Sequence, residues 1–484
     1  MKEAQRADWE KVKQLFLEIS EIPRNSGQEK KVGAYILKKA EELKRPAKMD
    51  EAGNIWIGTF SGKKAEYLLQ AHQDMVCVKE ETCIHDFSKD PIRVEEKDGW
   101  LMAKGTSLGA DNGIGMAYLL ALLEEDQKGI LEGIFTVGEE IGMRGANALN
   151  AEDFQIQAQK LINLDTAWDQ VMVEGSAMGV AGVFTKLLAW EVSDSIHWYE
   201  IQIDGLTGGH SGTQSYKRGA NGIRLMAEFL KKIPGKWDLA LFESKGWDNV
   251  ISNHAEVTLG VPDDEILFEI YFEMMQQEFQ ERYRMTDPNL FLKKREIRRP
   301  QKQLTDPVRQ AVVTLLCQVQ SGVLKEQSDK QTDFPEGMEM CRVHTSANPA
   351  SVEMTKEMLT FRCHYRSMDE TFFERKIWIL EKQLAEETGA SLEAQQKAAG
   401  WQPESGGSLK QELTEAYRKV HGKKPTFVSI PATLECGEIK ERLKIKEAVS
   451  VGPIMKDYHT PKERLQIESA AGLYRVLKEM LALA

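Results

Sequence analysis

The sequence has no cysteine pair at CxxC spacing. Its six cysteines (Cys77, Cys83, Cys317, Cys341, Cys363 and Cys436) are scattered over 484 residues. This excludes a cysteine-built zinc site and a disulfide framework, and reads as a reduced, cytoplasmic chain. No run approaches the roughly 18 apolar residues that span a bilayer. The opening MKEAQRADWEKVK lacks the apolar stretch and cleavage pattern of a signal peptide, so no membrane partner is expected. A positive excess is missing too: net charge is −12. A general nucleic-acid binder needs a basic face to release counterions, so that class is set aside. The one basic run, KKREIRRPQK at 293–302, reads as a solvated loop or helix end. Glycine-rich GADNGIG has neither the Lys-Ser/Thr of a phosphate loop nor GxGxxG spacing, which argues against a nucleotide site.

What is present is ordinary for a soluble globular chain: 42% hydrophobic and 29% charged residues. The length exceeds one ordinary core, so two domains are expected and three are open. Up to residue 187, helical patterns (WEKVKQLFLEIS, EKKVGAYILKKAEEL, GIGMAYLLALLEE) alternate with short buried strands (NIWIGTF, YLLQAH, GIFTVGE, KLINLD). That alternation implies an α/β domain whose sheet carries helices on its faces. From 188 to 400 the pattern becomes α+β: half-polar strands such as WYEIQIDGL, NHAEVTLGV and MLTFRCHYRS, with long helices near 265–283 and 306–322. From 401 to 484 the first pattern returns, with SLKQELTEAYRKV, AVSVGP and ESAAGLYRVLKEMLALA. The reading is one catalytic α/β domain with a central mixed sheet, in two parts (1–187 and 401–484), interrupted by an inserted α+β domain (188–400).

The chemistry collects where strands end. YLLQAH leads to His72 and Asp74, GIFTVGEE to Glu139 and Glu140, and KLINLD to Asp165. The loop IMKDYHTP after AVSVGP holds His459, and Asp111 opens a helix. In open α/β sheets, ligands bind beyond the carboxyl ends of the strands, so these distant positions can converge. Each has a plain reading alone: Asp111 as a helix cap, His72 as a satisfied polar group, Glu139–Glu140 as a solvated strand end. Together, two histidines and up to five carboxylates would repel and take up protons unless cations compensate. Nitrogen and oxygen ligands suit zinc, and also manganese or cobalt. Two metals sharing a carboxylate would suit the ligand number.

LLQAHQDMV, GTSLGADNGIGMA, FTVGEEIGMRGA, LINLD, GLTGGHSG, PATLECG and GPIMKDYHTP follow one another in this order. Over essentially its whole length the chain resembles the aminoacyl-histidine (Xaa-His) dipeptidases, within the larger group of dinuclear zinc peptidases and deacylases. The resemblance implies metal-dependent hydrolysis of small peptides with two Zn²⁺ per subunit, Mn²⁺ or Co²⁺ being substitutes. It makes Asp111 the carboxylate shared by both metals, His72 and Asp165 the ligands of one, and Glu140 and His459 those of the other. Glu139 would be the general base for the attacking water, and Asp74 would orient His72 from behind. The peptide bond Asp111–Asn112 would be cis. The inserted domain would be a lid that also forms a homodimer. Within it, His210 would donate to the substrate oxyanion, Arg366 would hold the substrate carboxylate, and Asn253 falls near a lid asparagine. Glu435 and Gly437 would line the substrate end of the site.

Some positions depart from the group's pattern: Gly138 where Asp is common, Gln73 where an apolar residue is common, and the stretches GSAMG and NVISNHAEV. They bear on substrate preference, since no expected ligand is lost. A deacylase or carboxypeptidase acting on N-acyl amino acids is the neighbouring alternative. A non-catalytic, metal-stabilised regulatory protein is the alternative of another class. His85, His197, His344, His364 and His421 are given no role, and His254 only adjoins Asn253.

Overall fold

The computed structural model describes residues 3–60, 62–193, 195–261, 265–327 and 337–483. The chain forms two compact units: Met1–Ser176 with Trp401–Ser429 and Leu434–Ala484, and Ala177–Gly400 with Ile430–Thr433. The second unit starts at Ala177 because the strand Met178–Leu187 already pairs within that unit, against Met358–Ser367 and Ser391–Ala398. A division at 187/188 falls at the far end of that strand, and the short return 430–433 lies beyond a division at 400/401.

The first unit is built on an eight-stranded mixed sheet. Its order is Ala47–Met49, Ile55–Ile57, Leu131–Thr136, Tyr67–His72, Lys160–Asn163, Glu447–Ser450, Val171–Ser176 and Thr426–Ile430. The four strands from Leu131–Thr136 to Glu447–Ser450 are parallel. Every residue of Tyr67–His72 and Leu131–Thr136 is buried. Strands covered on both faces read as continuous rather than alternating apolar runs, which is how YLLQAH reads. The register pairs His72 with Thr136, Gln70 with Asn163, and Ser450 with Asn163. The carboxyl ends therefore lie along one edge, and the residues after them emerge together.

Helices fix that edge. Ala110–Glu125 packs on Tyr67–His72 and on the helix Glu3–Ser20. Its residues 113–123 are all buried and all apolar or glycine save the Tyr118 hydroxyl, so this stretch is apolar all round rather than amphipathic. Tyr118 stacks on Tyr474 of the helix Ile467–Leu483 at 6.0 Å and donates to the Ala470 carbonyl at 2.9 Å. A second sheet of this unit is small and antiparallel: Met455–Lys456, Arg464–Gln466, Trp100–Ala103 and Val94–Lys97. The loop holding His459 is thus a hairpin connection between two very short strands.

The second unit is the inserted α+β domain. It has a four-stranded antiparallel sheet in the order Asp238–Glu243, Ala255–Val261, His197–Asp204, Phe291–Glu296. Its five-stranded sheet runs Gly322–Glu326, Val343–Met354, Met358–Ser367, Met178–Leu187, Ser391–Ala398. The helices Gly222–Lys231, Glu265–Arg282 and Asp306–Gln318 contribute to a core of its own. The last of these stops at Gln318, short of 322, where the chain turns toward the strand Gly322–Glu326. Among the described residues no helix is long and apolar enough to cross a membrane.

Candidate metal centre

His72 is the last residue of its strand, with its side chain 1% exposed. Its Nε2 lies 3.1 Å from Asp111 Oδ1 and 3.5 Å from Asp165 Oδ1. The other oxygen of Asp111, Oδ2, lies 3.3 Å from His459 Nε2, which is 3.0 Å from Glu140 Oε1. Asp111 therefore stands between two sets of donors, His72 with Asp165 and His459 with Glu140. One ligand atom each from His72, Asp111 and Glu140 lie within 4.8 Å of one another.

The backbone explains the convergence. Asp74 follows His72 by two residues, and its Oδ1 is 3.4 Å from His72 Nδ1. The same carboxylate accepts from Ser26 Oγ at 2.7 Å and from the amides of Glu139 at 3.0 Å and Glu140 at 3.2 Å. It thus links the end of one strand to the turn beyond the next. Gly138, at φ +60°, begins that turn, a conformation glycine adopts without steric cost. Asp111 and Asn112 leave helical geometry, and the peptide bond between them is cis. Asn112 Nδ2 then donates to the Leu164 carbonyl at 2.7 Å and to Asp165 Oδ1 at 3.0 Å, which holds Asp165 toward the cluster. Gln73 points elsewhere: its amide bridges the carbonyls of Gly53 at 3.1 Å and Phe135 at 3.0 Å.

The charges are strongly coupled. Burial, reinforced by Asp111, raises Asp165 to about 7 against the opposing pull of His72. Burial also raises Glu139 well above the usual carboxylate range; His72 opposes this while Glu140, Asp165 and Glu435 add to it. Burial lowers His459, but Asp111 and Glu140 outweigh it and lift the imidazole to about 11. Acidic groups this dense need positive charge among them, and the carboxylates accordingly raise the pKa of both imidazoles against the effect of burial. Divalent cations would supply that charge, and two imidazole nitrogens with several carboxylate oxygens fit zinc, manganese or cobalt.

Residues 68–483 match the description "Peptidase family M20/M25/M40". The chain belongs to this family. It is a hydrolase of peptide bonds. Over 483 aligned residues it is 32% identical to the cytosol non-specific dipeptidase of Escherichia coli (strain K12), covering 96% of each chain. The crystal structure of an aminoacylhistidine dipeptidase from Vibrio alginolyticus superposes with a TM-score of 0.79 at 28% identity, covering 98% of this chain and 96% of that one. A tripeptidase from Staphylococcus aureus shares the fold, with a TM-score of 0.55 at 15% identity and 98% of each chain covered.

In this M20 peptidase the remaining candidate residues fall into two places. Glu435 is fully buried at the start of the helix Glu435–Leu443, where its Oε2 accepts from Gln70 Nε2 and Thr136 Oγ1, both at 2.7 Å. Burial raises it to about 8. Gly437 lies in the first turn of the same helix. The other three belong to the second unit. His210 Nδ1 accepts from the amides of Gly212 at 3.2 Å and Thr213 at 3.1 Å, so a neutral ring carries its proton on Nε2. Asn253 is exposed beside Gly208 of the same glycine-rich loop. Arg366 is 5% exposed and donates to Thr433 Oγ1 at 3.3 Å. Among the described residues of its unit it has no carboxylate partner, and burial pulls it down to about 10.

Two residues beside the candidate ligands escaped the sequence reading. Arg24, fully buried, donates to the carbonyls of Gln73 at 3.2 Å, Asp74 at 2.7 Å and Gly109. Glu463 accepts from four backbone amides ahead of and including Asp111. Neither sits at a strand end or on an apolar period; only the spacing of Glu463, four residues after His459, hints at the second.

Proposed function

We propose that this protein is a cytoplasmic dinuclear zinc dipeptidase that cleaves dipeptides with free termini, Xaa-His among them. The single observation that carries the proposal is the placement of Asp111, with one oxygen toward His72 and Asp165 and the other toward His459 and Glu140. Those four residues and Asp111 are the proposed ligands. Relatives named as a cytosol non-specific dipeptidase and an aminoacylhistidine dipeptidase, similar along nearly the whole chain, support the substrate class and the compartment.

Bound between these ligands, two zinc ions would polarise the scissile carbonyl and lower the pKa of a shared water. The protein's own part is proton handling and positioning. Glu139 takes the proton that the attacking water loses as its oxygen bonds to the scissile carbonyl carbon, and passes that proton to the leaving amine nitrogen as the C–N bond breaks. Asp74 keeps His72 in the tautomer that presents Nε2 and holds the amides of Glu139 and Glu140. His210, with its proton on Nε2, is assigned the oxyanion. Arg366, a buried guanidinium without an anion among the described residues of its unit, is assigned the substrate carboxylate, which the fork of an arginine suits. Asn253, Glu435 and Gly437 are assigned to substrate contacts. The helix Glu265–Arg282 leaves Ile266, Ile270 and Met274 exposed, an apolar stripe suited to a second copy of the chain.

The test is Glu139→Ala assayed on Ala-His, carnosine and Gly-Gly, with metal content measured in parallel. Turnover is expected to vanish while two metals per chain are retained. Full activity in the variant would sink the mechanism, and cleavage of N-acyl amino acids in preference to free dipeptides would sink the substrate class.

A further inference from the structure

Glu463 lies just before the strand Arg464–Gln466, in the hairpin connection that carries His459, and is 2% exposed. Both carboxylate oxygens are occupied. Oε2 accepts from the amides of Leu108 at 2.8 Å and Gly109 at 2.9 Å; Oε1 accepts from Ala110 at 2.8 Å and Asp111 at 3.3 Å. Four N–H groups thus converge on one buried anion. From the same turn, the Gly109 carbonyl accepts from Arg24, whose guanidinium also reaches the carbonyls of Gln73 and Asp74 beyond His72. Gly109 stands at φ +67°, which glycine adopts without steric cost, so the chain can turn sharply just ahead of Asp111.

We propose that Glu463 is a positioning residue of the metal centre. It locks the turn that aims Asp111 and ties that turn to the hairpin that presents His459, so two proposed ligands are set by one carboxylate. Arg24 does the same between the Asp111 turn and the His72 strand end. The inference rests on the metal centre proposed above. A carboxylate is required because all four groups facing it are donors. A glutamine there would turn its own NH₂ against two amides and leave them without an acceptor in a buried place.

The experiment compares Zn²⁺ affinity of wild type, Glu463→Gln and Glu463→Asp, by competition with a chromophoric chelator, and then kcat and KM of the zinc-loaded proteins. Asp126→Asn controls for plain loss of stability, since it weakens the buried pair with Arg45 (2.9 Å) in the same unit. Glu463→Gln is expected to lose about 10- to 100-fold in zinc affinity, with kcat lowered and KM unchanged. Glu463→Asp should recover part of the loss, and Asp126→Asn should lower Tm alone. Wild-type affinity in Glu463→Gln, or an equal loss in Asp126→Asn, overturns the proposal. Should Glu463→Gln not fold, Arg24→Lys must show the same loss of affinity, and wild-type affinity in that variant overturns the proposal equally. Zinc affinity needs no substrate: an affinity loss beside a wild type inactive on every dipeptide would sink the dipeptidase reading and leave this one standing. A wild type that binds no divalent cation overturns both.

Discussion

Asp74 touches more of the site than any of the proposed metal ligands. Its oxygens meet His72 Nδ1, Ser26 Oγ and two backbone amides. Asp74→Asn replaces an acceptor with a donor, so zinc affinity is expected to drop about 10- to 100-fold, read in the same chelator competition. Unchanged affinity would show that the contacts are incidental. A second residue tests electrostatics away from the proposed metal centre. Glu381 is 1% exposed and accepts from the Gln320 amide at 2.9 Å. Burial raises its pKa from 4.5 to about 7. The folded state therefore holds a proton between those values that the unfolded chain has released, and stability falls as pH rises through that window. Glu381→Gln keeps the acceptor and removes the titration. Its gain should be near zero below pH 4.5 and on the order of 3 kcal/mol at pH 8. Equal gains in urea unfolding at both pH values would refute the argument. At this scale Gln73 shows what a sequence conceals. It looked out of place between His72 and Asp74, yet its amide satisfies two carbonyls, Gly53 and Phe135, that lie far from it in the chain.

Among the elements, the four parallel strands decide where the chemistry can be. Their ends are held in register, and the loops leaving them have little slack. Gly452, just beyond Glu447–Ser450, illustrates this: a Cβ there would collide with the Thr166 carbonyl, next to Asp165. Gly452→Ala is expected to cost about 2–4 kcal/mol and to weaken metal binding, checked by urea unfolding and zinc titration. Wild-type values in both would mean that the loop yields. These strands were legible because strands buried on both faces are continuous apolar runs. The small antiparallel sheet was not. Met455–Lys456 and Arg464–Gln466 are too short to show a period, and Glu95, Glu96 and Lys97 on the outer strand Val94–Lys97 of the same sheet are exposed. His459 was therefore read as a loop residue following a strand, when a hairpin connection carries it with φ at +62°.

Across the whole molecule, each unit has its own hydrophobic core, and every proposed metal ligand belongs to the first. Metal bound at 100 times its Kd would add about 2.7 kcal/mol to that unit's stability. Dialysis against a chelator is expected to lower Tm and to speed amide exchange at residues 72–74, 108–112, 138–140 and 165. The sheet strands Val343–Met354 and Met358–Ser367 should keep their protection. A uniform loss of protection over both units would contradict this. The sequence by itself determined the fold class and the interruption of one α/β domain by an α+β insertion, and it marked the candidates for chemistry. Those features are written in local periodicity and in the residue types at strand ends. Only the tertiary structure decided that Asp111 divides its oxygens between two donor sets, that Arg24 and Glu463 hold its turn, and where the second unit begins. Such facts depend on contacts between residues up to several hundred positions apart, and a hydrogen bond to a backbone amide leaves no mark on the residue that donates it.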